Sequence, residues 1–292
     1  YPLIWTQINK TMKKTLGIFA LILTIFTSCE VEPIDPALLN NTNNNSGGNN
    51  NGGGNNNGGG GGGSNTPVLL TKVIETLTNG DVETTEFFYS GTKILKYTNT
   101  TSNSVEETLY TYTGDLITQA KTNLNGVLLE TVNFEYDTSL RLKKCTGIYG
   151  TTVNVTNYTY NTNGTITFVT NEGSDIVANG TIYVANNQGY KKEIVFDPGT
   201  SFEYTEVQET TFDNKVNPFI NVTGYAKVEL ESPSEVIGFS GVANNPVMFK
   251  KNNITRETST YTYTSNNMPL NEVFTDLVNS TWSGTYQYFY NQ

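Results

Sequence analysis

Glu203, Glu206 and Glu209 stand in one strand-like run, and Glu229 and Glu231 in another. Residues two apart on a strand share a face, so such carboxylates can shift one another's pKa, hold a cation or flank a glycosidic bond. The competing account is a solvated acidic face, and a chain with 27 acidic against 17 basic side chains favours it. Asp213, Asn214 and Asn217 offer oxygens to calcium, although Asx side chains in turns more often bond their own backbone. Gly238-Phe239-Ser240-Gly241 carries the serine of a nucleophile elbow, but its second glycine is misplaced. The chain has no histidine, which excludes Ser-His and Cys-His dyads and any imidazole-ligated metal. No catalytic residue, metal site or enzymatic activity is expected. The net charge of -10 argues against a phosphate-binding footprint, so no nucleic-acid partner is expected. Trp282, Tyr286, Tyr288 and Tyr290 are the densest aromatic group. They offer a stacking platform for a glycan, or else form part of the packed spine of a sheet.

The most specific chemistry lies near the start. Lys13 and Lys14 precede an apolar run from Leu16 to Phe26, and Thr27-Ser28-Cys29 follows. A basic segment, a short apolar run and small residues before a cut describe a secretory signal peptide over 12–28. The run is shorter than the roughly 20 apolar residues a spanning helix needs. The ending on Cys29 resembles a bacterial lipobox, in which the cysteine is acylated and becomes the new N-terminus; Phe26 stands where leucine is usual. Residues 1–11 are then expected to be upstream translated sequence. Glu30, Glu32 and Asp35, within an acidic segment 29–39, resemble the surface-export signal of lipoproteins in the Bacteroidota. Without residues 1–28 the chain holds 14 basic and 27 acidic side chains, a net charge of -13. Anionic head groups repel such a body, so the lipid must hold it at the membrane. Cys145 is then the remaining cysteine and reads as a small buried side chain.

Residues 40–65 comprise 12 Asn, 11 Gly and otherwise Thr and Ser. Such a segment buries no apolar surface, so it is expected to stay disordered, a tether with a reach of about 25–30 Å.

The body, 67–292, repeats. Tyr110-Thr111-Tyr112-Thr113-Gly114, Phe134-Glu135-Tyr136-Asp137, Tyr158-Thr159-Tyr160-Asn161 and Tyr261-Thr262-Tyr263-Thr264 each set two aromatics around one residue ahead of a turn. Phe87-Phe88-Tyr89 opens the series and Tyr286-Gln287-Tyr288-Phe289-Tyr290 closes it. The second aromatic falls at 89, 112, 136 and 160, steps of 23, 24 and 24 residues, with weaker copies at Ala185 and Phe212 and late ones at 263 and 288. Each period holds two runs rich in Thr, Val, Ile and Tyr between Gly, Asn or Asp turns, which is a β-hairpin. Leu128, Glu130, Val132 and Phe134 alternate with Val127, Leu129, Thr131 and Asn133, part apolar and part polar on both faces. The spacing predicts an all-β antiparallel meander of about sixteen strands, curled or closed because so long an open sheet would expose its edges. A short helical turn is expected where Asn217 precedes Pro218.

The aromatic-turn repeats, the run Phe212-Asp213-Asn214-Lys215-Val216-Asn217-Pro218-Phe219 and the ending Tyr286–Asn291 resemble uncharacterised surface lipoproteins of the Bacteroidota (Flavobacterium-like) with a porin-like β-sheet fold. That resemblance implies a signal peptide, a tether and a curled sheet, and brings no catalytic residues. It implies an outer-membrane, lipid-anchored, surface-facing protein without cofactor beyond the lipid on Cys29. The expected role is a non-catalytic binding or accessory subunit, its partner an integral outer-membrane β-barrel protein. A freestanding adhesin or glycan binder, or a carboxylate-dependent hydrolase, is the alternative.

Overall fold

A computed structural model describes residues 66–186, 188–228 and 243–292. Cys29, Glu30, Glu32, Asp35, the 40–65 tether, Glu229, Glu231 and 238–241 lie outside the described residues. Sixteen strands follow in order: β1 Leu70–Leu77, β2 Val82–Ser90, β3 Lys93–Thr100, β4 Val105–Thr113, β5 Leu116–Leu124, β6 Val127–Tyr136, β7 Leu142–Tyr149 and β8 Thr152–Tyr160. The second half is β9 Ile166–Glu172, β10 Asp175–Ala185, β11 Gln188–Phe196, β12 Tyr204–Phe212, β13 Pro246–Lys251, β14 Ile254–Tyr263, β15 Pro269–Asp276 and β16 Gly284–Tyr290. Each strand pairs antiparallel with its neighbours in sequence, and β1 pairs with β16, so the meander closes into a barrel. Closure leaves no strand edge for another chain to extend. Asn125 and Gly126, both at positive φ (50° and 80°), form the two-residue turn whose twist matches the β5–β6 hairpin.

The tyrosine repeat has a local cause. Where β2 meets β3, β4 meets β5, β6 meets β7 and β14 meets β15, the register slips by one residue at Tyr89, Tyr112, Tyr136 and Tyr263. The extra residues are Leu95, Thr118, Lys143 and Leu270. Such a bulge takes the neighbouring carbonyl out of the ladder, and a carbonyl without a donor is costly once buried. A tyrosine hydroxyl from the adjoining strand supplies the donor. Tyr136 donates to Ile117 O (2.6 Å), Tyr160 to Leu142 O (3.1 Å) and Tyr290 to Pro269 O (2.7 Å), each just before a bulge or the turn into its strand. Tyr89 donates to Leu70 O at 2.8 Å beside the slip in the β1–β16 seam. Tyr261 likewise reaches Pro246 O at 2.7 Å. Burial raises the Tyr89, Tyr136 and Tyr290 phenols above their ordinary value of 10.0, keeping all three protonated donors. These contacts correct the repeat frame in two copies. The residue opposite the slip is Val184 rather than Ala185, and Tyr290 rather than Tyr288. Another bulge, at Leu129, turns Leu128 to the outer face while Glu130, Val132 and Phe134 point inward.

Between β12 and β13 the chain leaves the wall and folds across one end. Asn217 Oδ1 accepts from Phe219 N at 2.9 Å, which starts a turn over 218–221; the short helix α1 (Tyr225–Val228) comes later than the sequence suggested. Phe219, 1% exposed, sets its ring edge against Phe87 (5.4 Å) and stacks on Tyr225 (4.6 Å). The insertion is stitched to four places on the rim: Thr223 N to Thr92 O, Tyr112 Oη to Thr223 O, Asn221 Nδ2 to Val68 O, and Val216 N to Asn267 O, at 2.9–3.0 Å. Gly224, at φ 77°, lies so close to the β4–β5 turn that a Cβ would stand 2.6 Å from Asp115 O. This pole, where β1 starts and β16 ends, is closed. Among the described residues no segment crosses the other pole, where short turns join the strands.

Two substitutions test this packing. Tyr136→Phe should lower unfolding stability by about 1 kcal/mol, one donor to a buried carbonyl. Phe219→Ala should cost about 3–5 kcal/mol, as large-to-small changes in a core do. Urea unfolding followed by tyrosine fluorescence measures both.

Candidate functional site

The barrel interior divides into two layers. Towards the closed pole the inward side chains are apolar or phenolic: Phe87, Ile94, Ile117, Phe134, Leu142, Tyr158 and Ile166 belong to one buried cluster with Phe219 and Tyr225. Cys145 belongs to it too, as the sequence suggested. Towards the open pole the same face of the same strands turns polar. Strand alternation brings Glu75, Glu83, Glu106, Glu130, Glu172, Glu206, Glu257 and Asp276 inward there, with Lys192 and Lys251 as the facing cations. Threonine pairs bridge the strands between them, Thr108 with Thr122 at 2.9 Å and Thr156 with Thr170 at 3.0 Å. So many carboxylates inside one low-dielectric wall give the open mouth a negative potential, which draws cationic groups and repels anions.

The glutamate triplet read from the sequence does not assemble. Glu206 is buried in the interior, where it pairs with Lys251 and accepts from Gln208 Nε2 at 2.7 Å. Glu209 faces outward opposite Lys250 and Lys191, and Glu203 accepts from Gly199 N in the β11–β12 turn at 2.6 Å. An offset of three residues on a strand reverses the face. Asp213 is consumed by its surroundings: Oδ1 accepts from Lys215 N and Asn245 N, and Oδ2 from Asn245 Nδ2 and from Tyr263 Oη, the last at 2.6 Å.

The four aromatics proposed as a stacking platform are also divided. Trp282 ends a single 3-10 turn, Ser280–Trp282, at the open pole. Tyr286, Tyr288 and Tyr290 point into the barrel, where Tyr286 stacks on Phe274 at 4.8 Å and Tyr288 is 3% exposed. A sugar stacking on them would have to enter the wall.

The structure reveals two buried acids that the sequence reading passed over, Glu272 and Asp276. Glu272, on β15, is buried with Tyr288 Oη donating to its Oε2 and the Ser259 and Tyr261 hydroxyls against it. Burial disfavours its charged form and outweighs the three hydroxyls, lifting its carboxyl from an ordinary 4.5 to about 7. Its partners are those three hydroxyls, and the Glu257 carboxylate lies near enough to add to the upward shift. Its sequence context, Pro269-Leu270-Asn271-Glu272-Val273-Phe274, looks like any edge of an acidic chain. Only the strict inward alternation of Glu272, Phe274 and Asp276 marks it.

On the outer wall, a groove of about 560 Å³ crosses β9–β12, with Val169, Val195 and Val207 on its floor. Gly180 lies in its lining, where a Cβ would meet Glu193 O at 2.1 Å and the Phe168 ring at 2.8 Å.

No family model matches the chain, and no curated protein sequence matches it. Among solved structures, the chain is similar to a porin-like protein from Bacteroides uniformis ATCC 8492. That match has a TM-score of 0.47 and 13% identity, over 77% of this chain and 99% of the other.

Glu272 makes stability depend on pH with a definite sign. Its folded pKa lies above its unfolded value, so its contribution is complete below pH 4.5 and is lost as pH rises through about 7. The difference in unfolding free energy between wild type and Glu272→Gln should therefore change by on the order of 3 kcal/mol across that window, against the wild type at the alkaline end. Chemical denaturation at a series of pH values measures it; a constant difference would contradict a buried, protonated Glu272.

Proposed function

We propose that this chain is an outer-membrane lipoprotein, anchored through acylated Cys29. Its barrel then stands in water as a non-catalytic binding module, an accessory subunit to an integral outer-membrane protein. The observation that carries this reading is the outer face of the barrel. Lys96, Lys121, Glu193 and Glu209 project outward from mid-strand positions, and Lys96–Glu107, Lys144–Glu135 and Lys191–Glu193 form outer ion pairs at 2.7–2.8 Å. A lysine or arginine at the centre of a lipid-facing strand costs about 2–4 kcal/mol, and a spanning barrel needs an unbroken apolar band. This wall has no such band among the described residues, so it favours water over lipid.

The closed pole supports the same reading. An insertion packed across the barrel makes it a cup rather than a conduit, which suits holding something at the open mouth. The N-terminal approach fits as well. Asn291 N donates to Leu69 O at 3.1 Å and Gln292 Nε2 to Thr66 O at 3.0 Å, so the chain enters at the closed pole. A tether arriving there leaves the open pole facing away from the membrane. Glu30, Glu32 and Asp35 are assigned to export to the cell surface. The separation of Glu203, Glu206 and Glu209 disfavours the hydrolase alternative, and the inward turn of Tyr286, Tyr288 and Tyr290 disfavours a surface glycan platform.

Cys29→Ala should move the protein from the membrane pellet to the soluble fraction without altering its fold. A variant that still pellets would overturn the anchor. Affinity purification of the tagged wild type from detergent-solubilised outer membranes should recover a stoichiometric integral-membrane partner. Recovery of the chain alone would overturn the accessory role.

A further inference from the structure

The two poles of the barrel differ in what their turns expose. At the open pole every hairpin places a large apolar side chain in water, in the turn or within two strand positions of it. The first four hairpins supply Val82, Val105, Val127 with Leu128, and Tyr149 with Val153. The next four supply Ile176, Phe202, Ile254 and Leu277 with Val278. Several are almost wholly in solvent: Val127 is 70% exposed, Phe202 71% and Val278 62%. At the closed pole, among the described residues, the β2–β3, β4–β5, β8–β9 and β10–β11 turns carry none, and the other three connections expose only Leu140, Ile220 and Leu270. Single exposed apolar residues are ordinary on a protein surface, but a contiguous set with a polar rim marks a place of contact.

Inside this apolar ring lies the acidic mouth, with Glu83, Glu106, Glu130 and Glu257 on its inner wall and Lys251 paired with Glu206. We propose that the open pole is a docking face for a basic protein segment. The aliphatic side chains of that segment would rest on the turn ring, and its lysines or arginines would reach into the carboxylate-lined mouth. Two separate features of the molecule select the same occupant. The ring asks for apolar contact on every side of the opening, and the mouth asks for positive charge at its centre. A second copy of this chain meets neither demand, because two acidic mouths brought face to face repel. Phosphate-bearing surfaces are repelled for the same reason. The inference rests on the reading of the chain as a binding module, but not on its lipid anchor or its membrane partner.

The test uses the purified chain and two labelled peptides with identical leucines, one carrying lysine and the other glutamate at the alternate positions. Fluorescence anisotropy should give saturable binding of the lysine peptide with a Kd of about 10–100 µM, and binding of the glutamate peptide at least roughly tenfold weaker. Raising the salt should weaken the lysine peptide, since attraction by the mouth is screened. The rim variant Val127→Ser/Leu128→Ser/Phe202→Ser changes only exposed side chains and should weaken binding about tenfold. The mouth variant Glu106→Gln/Glu130→Gln should remove the preference for lysine over glutamate while leaving a residual apolar contribution. Equal binding of both peptides, absence of saturation, or an undiminished rim variant would overturn the docking face. Rim-dependent sedimentation with phosphatidylcholine vesicles would overturn it as well, by making the ring a membrane contact. Binding of the peptide by a chain that recovers no membrane partner would count against the accessory role alone.

Discussion

A carbonyl displaced from its ladder is the constraint around which this barrel is built. Closing sixteen strands requires local twist and bend, and the bulges at Leu95, Thr118, Lys143 and Leu270 supply them. Bends of this kind free backbone oxygens inside the wall, and near the closed pole the packed apolar cluster surrounds them. A phenol is well suited to the task, with a ring large enough to fill the interior and a hydroxyl at its far end. Tyr136, Tyr160 and Tyr290 therefore serve the core and the backbone at once, which accounts for the tyrosine of most hairpins; Val184 and Phe212 take the slot in two.

The same arrangement produces the polarity of the cup. Tyrosines and aliphatics collect at the end where the bulges at Leu95, Thr118, Lys143 and Leu270 lie, and the inserted Phe219, Val222 and Tyr225 complete that apolar layer. Towards the open pole carboxylates, threonines and asparagines occupy the inner face of the strands instead. Two layers of different dielectric thus sit in one barrel. Glu272 lies against the apolar layer and keeps its proton, whereas Glu206, nearer the mouth, finds a lysine.

Much of the architecture was legible in the residues. The 24-residue step between Tyr112, Tyr136 and Tyr160 reports one hairpin plus one bulge, and the alternation of Glu130, Val132 and Phe134 reports the buried face. Two frames slipped, at Val184 and Tyr290, because a bulge adds a residue without leaving any mark in composition. The glutamates at 203, 206 and 209 looked like one cluster because their spacing says nothing about where the turn ends and the strand begins. Glu272 was illegible for a different reason: its environment comes from Ser259, Tyr261 and Tyr288, residues on two other strands. The helical turn expected at Pro218 is a hydrogen-bonded turn because Asn217 caps it locally, while packing against the rim places the helix later, at Tyr225. The ring of exposed side chains went unseen because eight turns far apart in sequence share one pole only after closure.

The seam between β1 and β16 has a consequence in time. All other pairings join strands consecutive in the chain, so each hairpin can form as soon as its two arms exist, whereas Leu70 meets Tyr290 only after the fourteen strands between β1 and β16 have been made. Until then β1 and the newest strand each carry an unpaired edge, and the growing sheet is open to any passing strand of matching hydrogen-bond pattern. The bonds beside the seam, Asn291 Oδ1 accepting from Leu69 N and Asn291 N donating to Leu69 O, therefore act as a latch on the closed barrel. Losing β16 alone would leave fifteen strands nearly intact and yet release a sticky ribbon in place of a sealed cup.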